Sequence, residues 1–210
     1  MGNVRLYAFD RGKIFYPYIM HYIYSIHGFI ELISRGAVNQ LNKYVDKEEK
    51  IKFLQNSGID KNIRNFLDNP HTTPLIGDLQ FRVTNGKNIQ IDIDEIAQDF
   101  INNGLYLVDY YRKCAGILLI ATFQVVSDWD DPSDPIWNFY YHCRNTAAHG
   151  SRFKIEKDRF PAKWNGLEIT KDMSGKVDLF KDQNGSGFLS FGDPVNLLWD
   201  IEQKYASMKL

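Results

Sequence analysis

A chain of 210 residues that is 44% apolar and 24% charged has room for one folded domain with a real core and a small appendage. Its formal net charge of −1 argues against a general nucleic-acid coat protein, so any RNA binding must rest on a local basic patch. Cys114 and Cys143 are too few for a disulfide framework, which points to a reducing, cytoplasmic setting.

Residues 13 to about 45 read as helix, apolar on most faces, with Pro17 in the first turn and a break at Gly36. Residues 14–33 carry one formal charge, Glu31, behind Arg5, Arg11 and Lys13, which raises the question of a membrane span. Tyr16, Tyr18, Tyr22, Tyr24, His21, His27, Ser25 and Pro17 are poor choices for hydrocarbon, and no run of small residues offers a cleavage site. A buried core helix is expected here, with no membrane partner. Residues 47 to about 67 form a polar, lysine-rich helical stretch interrupted near Gly58, and 69–74 a loop with Pro70 and Pro74.

Residues 79–83 and 89–93 alternate apolar with polar on either side of Asn85-Gly86, a dipeptide that tolerates the positive φ angles of a tight turn. A small β-hairpin inserted between helices is predicted there. Asp94 is placed to cap a long helix to about Val126, along which Ile96, Phe100, Leu105, Val108, Tyr111, Leu118 and Phe123 largely keep helical spacing. Gly116 would allow close packing or a slight kink. Asp128, Asp130, Asp131 and Asp134 fall in a loop with Pro132. Their spacing superficially suggests a calcium loop, but the glycine and the later bidentate glutamate of such a loop are missing, so no metal is expected.

Asp134-Pro135 opens the next helix with a capping acid and a proline in the first turn, and Gly150 closes it. Asn165-Gly166 and the alternation around it suggest a second hairpin, running toward residues 177–180. Residues 184–187 are a flexible turn, and Asp193-Pro194 launches a last helix toward residue 208. The expectation is one mainly α domain over 1–210 with one or two small β-hairpin insertions. Its core helices are placed at about 13–45, 94–126, 135–149 and 193–208.

The chemistry concentrates in Tyr140-Tyr141-His142-Cys143-Arg144-Asn145-Thr146-Ala147-Ala148-His149-Gly150. Cleavage of an RNA phosphodiester needs a base for the ribose 2′-hydroxyl, an acid for the departing 5′-oxygen and a cation for the phosphate. His149 suits base or acid, Arg144 presents a planar fork to phosphate oxygens, and Asn145 adds a hydrogen bond. Five residues on a regular helix separate Arg144 from His149 by about 140°, so the two do not share one face. A helix end at Gly150 and a two-fold dimer both relax that demand. The alternative role for His149 is a favourable charge at the helix C-terminus.

Tyr140 or Tyr141, one turn before Arg144, is placed to stack on a base, although aromatics at helical spacing more often serve a core. His142 lies on another side of the helix, and Cys143 beside it cannot easily pair with it as nucleophile, so a buried structural thiol is expected. Arg152, Lys154, Lys157, Arg159 and Lys163 against Glu156 and Asp158 make a local basic excess next to the motif. This run, Arg152 and Lys154 first, is the candidate RNA-backbone contact. The histidines show no paired zinc spacing and no Gly-rich phosphate loop is present, so no cofactor is expected.

Arg144-Asn145-x-x-x-His149 resembles the R-x4–6-H motif of HEPN domains, with the usual polar residue directly after the arginine. The resemblance covers roughly residues 95–150. It implies a HEPN-like helical bundle and a metal-independent endoribonuclease of a bacterial toxin or phage-defence system, active as a homodimer whose two motifs meet in a cleft. Arg144, Asn145 and His149 would be its catalytic residues, and RNA would be left with a 2′,3′-cyclic phosphate. The alternative is an inactive HEPN-like module for dimerisation or partner binding. One large HEPN subgroup is controlled by a nucleotidyltransferase antitoxin that modifies a tyrosine two residues beyond the motif histidine. Ser151 stands at that position here, which puts this control in doubt while leaving an antitoxin or defence-system partner open.

Overall fold

Pro17 stands in the first turn of α1 (Tyr16–Leu41), where its missing N–H leaves no intrahelical bond unmade. The computed structural model describes residues 11–41, 79–82, 84, 86, 88–93, 95–96, 107–182 and 184–205. The polar helix expected at 47–67 and the loop at 69–74 lie outside the described residues, as do the predicted ends of the first and last helices. The chain divides into two compact units, residues 1–26 with 107–210 and residues 27–106, and α1 contributes to both. Among the described residues, no helix is long and apolar enough to cross a membrane.

In the 27–106 unit, β1 (Leu79–Arg82) pairs antiparallel with β2 (Asn88–Ile91) in the hairpin that the alternation predicts. Arg82 faces Asn88, so residues 83–87 connect the strands, more than a two-residue Asn-Gly turn would need. Gly86 takes the positive φ, +80°. Helical backbone follows directly. The Glu95 amide donates to Asp92 Oδ1 at 3.0 Å and the Ile96 amide to the Asp92 carbonyl at 3.2 Å, so Asp92 caps this turn; Asp94, the expected cap, lies outside the described residues.

The other unit holds the motif. Its helices are α2 (Leu107–Val126) and α3 (Pro135–Ala148), followed by β3 (Ala162–Trp164), β4 (Leu167–Ile169) and α4 (Asp193–Lys204). The fold is mainly α, with two small antiparallel two-stranded sheets among the described residues. α3 starts where Asp134-Pro135 predicts: Asp134 Oδ1 accepts from the Ile136 amide at 3.1 Å. α4 also carries proline in its first turn, but Asp193 turns back to accept from the Ser190 amide at 2.7 Å instead of capping the helix.

The second hairpin forms tightly around Asn165-Gly166, whose φ values of +47° and +76° suit a two-residue turn. Residues 177–180 are not its partner strand. They bridge to Arg152 and Leu189, because Asn-Gly already returns the chain directly onto β3.

α2 and α3 cross closely at Gly116, where an added Cβ would sit 3.5 Å from that of Ala147. Around this crossing Phe15, Leu119, Trp137, Phe139, Tyr140, Phe153, Leu197 and Leu198 are buried, each contributing about 1.5–3 kcal/mol through the area it removes from water. The Phe15 amide donates to the buried Glu202 carboxylate at 2.9 Å, which ties the start of α1 to α4.

Candidate functional site

The last turn of α3 closes on itself. The His149 amide donates to the carbonyls of Asn145 at 3.1 Å and Thr146 at 3.3 Å, making His149 the C-cap. Gly150 then takes φ +88°, and the Ser151 amide donates back to the Thr146 carbonyl at 2.9 Å across it. This end is the one the sequence signals. It leaves the His149 side chain exposed.

Tyr141, Asn145 and His149 recur every four residues and so line one face of α3. They open, with His142, on a depression of about 250 Å³ whose far wall is Lys154, Glu156 and Lys157. Arg144 does not line it. Its Nη1 donates to Asn145 Oδ1 at 2.8 Å, and its guanidinium carbon lies 5.6 Å from the centre of the Phe123 ring on α2. Among the described residues, Arg144 Nε is buried without a hydrogen-bond partner. Within one chain the motif therefore brings Asn145 and His149 together and sends Arg144 to another side, as helical phase requires.

The far wall is fastened to α3 by groups remote in sequence. His142 Nε2 meets the Arg159 carbonyl at 3.0 Å, and the imidazole stacks on Phe160 with ring centres 5.1 Å apart. Because a carbonyl only accepts, Nε2 carries the proton. Burial pushes the His142 pKa below its ordinary value, against the opposing pull of that bond. Asn138 Nδ2 donates to the carbonyls of Pro132 and Pro161 at 3.0 Å each. Arg159 forks onto Asp130 with two bonds of 2.8 Å and lies over Tyr141, 4.2 Å from its ring centre.

The basic run separates into paired and unpaired charge. Arg152 bonds Asp178 at 2.9 Å, Lys154 bonds Glu156 at 2.7 Å, and Lys163 bonds Glu168 at 3.1 Å. Asp158, which sequence order places beside Lys157, reaches Lys171 at 2.9 Å instead. Lys157 has no ion pair among the described residues, and its ammonium lies 5.8 Å from the centre of the Tyr141 ring. Lys154 holds the Glu156 carboxyl below its usual range, with a smaller pull from His149 across the depression.

Several sequence expectations change here. Tyr140 is fully buried and its hydroxyl donates to Thr122 Oγ1 at 2.6 Å, so it has no surface to offer RNA. Of the two tyrosines only Tyr141 reaches the depression. Arg152 does not line it and is held by Asp178, while Lys154 lines it but spends its charge on Glu156. Lys157, not distinguished within the basic run by sequence, is the cation left over. Cys143 is buried and its thiol is pushed well above the usual range by desolvation, as a structural cysteine should be. Asp130, Asp131 and Asp134 bond Arg159, Ser133 and Ile136 respectively. Comparison with protein-family models, curated proteins and solved structures returns no match for this chain.

Proposed function

We propose that this protein is a HEPN-type endoribonuclease that works as a homodimer in the cytoplasm, in a toxin or phage-defence setting. The supporting observation is one surface on which an exposed histidine, His149, and an amide, Asn145, open together on a depression rimmed by a lysine. In the reaction, His149 takes the proton of the ribose 2′-hydroxyl, whose oxygen attacks the adjacent phosphorus. The bond to the 5′-oxygen breaks, water protonates that oxygen, and the His149 imidazolium returns its proton to the hydroxide left behind. The products are a 2′,3′-cyclic phosphate and a 5′-hydroxyl. Arg144 stabilises the charge gathered on the phosphate, and Asn145 positions it.

The direction of Arg144 favours a second reading, a module that only dimerises or binds a partner, because one chain alone does not bring arginine and histidine to the same wall. Incubation of total RNA and labelled oligonucleotides in EDTA separates the two. Wild-type protein is expected to cut, with cyclic-phosphate ends, while His149→Ala and Arg144→Ala lose at least a hundredfold in rate. Inert wild type would overturn the ribonuclease reading and favour the module; mutants that cut as well as wild type would displace the site.

A further inference from the structure

We propose that Lys157 is the cation that binds phosphate in this depression, acting with Asn145 and His149 of its own chain. The assignment deepens the ribonuclease reading and rests on it for the identity of the natural ligand. An anion site needs charge that the protein has not already neutralised. A paired ammonium must first lose its carboxylate, whereas an unpaired one sheds only water and counterions.

Arg152, Lys154, Arg159 and Lys163 each have a carboxylate within 3.1 Å. Lys157 stands between Glu156 and Asp158 in sequence, yet both of those carboxylates serve other lysines, Lys154 and Lys171. Glu156 lines the depression too, but its pairing with Lys154 removes most of its repulsion of an anion.

The hydrogen-bonding pattern also has a direction. Arg144 occupies Asn145 Oδ1, so the amide presents its N–H donors as the groups still free to bind. A tetrahedral phosphate seated there would meet an ammonium, an amide donor and an imidazole, three donors for its oxygens. The Tyr141 ring lies beside this donor set, 5.8 Å from the Lys157 ammonium and covered by Arg159 at 4.2 Å.

Titration of the full chain with inorganic phosphate, followed by NMR of the His149 imidazole and the Asn145 side-chain amide, tests this directly. Saturable shifts of both signals are expected in wild type and in Lys163→Ala, a cation of the same run that does not line the depression. Lys157→Ala should weaken the apparent affinity about tenfold, and Lys157→Arg should restore most of it. Absence of saturable shifts in wild type, or equal weakening by Lys163→Ala and Lys157→Ala, would overturn the assignment. A folded Lys157→Ala, judged by an unchanged amide spectrum away from the site, keeps the comparison valid. Phosphate binding that depends on Lys157 without any RNA cleavage by wild type would sustain the subsite and sink the ribonuclease reading alone.

Discussion

Arg144 Nη1 donates to Asn145 Oδ1 at 2.8 Å, joining two neighbours in sequence of which only Asn145 lines the depression with His149. The guanidinium is held there from a second direction by the Phe123 ring. Arginine and histidine of one chain therefore act on different neighbours. We expect the arginine that meets His149 on one phosphate to come from a second copy.

Mixing inactive variants tests that meeting. Reassociation of Arg144→Ala with His149→Ala chains makes half of the dimers mixed, each with one of its two composite sites intact. Cleavage should recover to about a quarter of the wild-type rate. No recovery, with mixed dimers verified by mass spectrometry, would place both residues in the same chain's site.

Protonation of His142 provides a pH prediction for stability. Burial lowers its pKa, so the unfolded chain, with an ordinary value near 6.5, takes up the proton first as pH falls. The stabilisation is complete above that value and is lost through the window between it and the depressed folded value. Thermal unfolding should show Tm falling from about pH 7.5 to 5. His142→Gln keeps a donor for the Arg159 carbonyl and removes the titration, so its Tm should fall less over the same range. An equally steep fall would assign the acid sensitivity to carboxylates.

Asp134 does more than start α3. It is buried, and besides the Ile136 amide it takes the Tyr205 hydroxyl and pairs with Lys204 at 2.5 Å. Burial pushes its carboxyl upward, but these partners outweigh burial and leave its pKa lowered. Asp134→Ala should cost about 2 kcal/mol, or roughly 4–8 °C in Tm, from the lost cap and the lost tie to the end of α4. Asp134→Asn keeps a capping oxygen and should cost less. Identical losses for the two would show that charge alone matters.

Gly116 sets how closely α2 approaches α3. A Cβ fits at 3.5 Å from Ala147, so Gly116→Ala should be neutral or stabilising by up to about 1 kcal/mol through helix propensity. Gly116→Leu has no space at the crossing and should cost about 1–3 kcal/mol. Denaturant unfolding should rank alanine at or above wild type and leucine below it. Leucine equal to alanine would mean that the crossing is loosely packed.

Much of the fold was legible because the signals are local. Asp134-Pro135 starts a helix, Gly150 ends one and Asn165-Gly166 reverses a strand through bonds and φ preferences spanning a few residues. The same locality explains the miss at 177–180, because a short strand-like run does not name its partner.

By itself the sequence determined the helix carrying the motif, its end, and the divergence of Arg144 from His149, since helical phase follows from spacing alone. Tertiary structure alone decided that Tyr140 is core while Tyr141 faces the depression, and which cations are spent. Asp178 lies 26 residues from Arg152, and Asp130 lies 29 from Arg159. Charge pairing over such separations depends on where the folded chain brings its carboxylates, and among the described residues that placement leaves Lys157 without an ion pair on the depression that His149 lines.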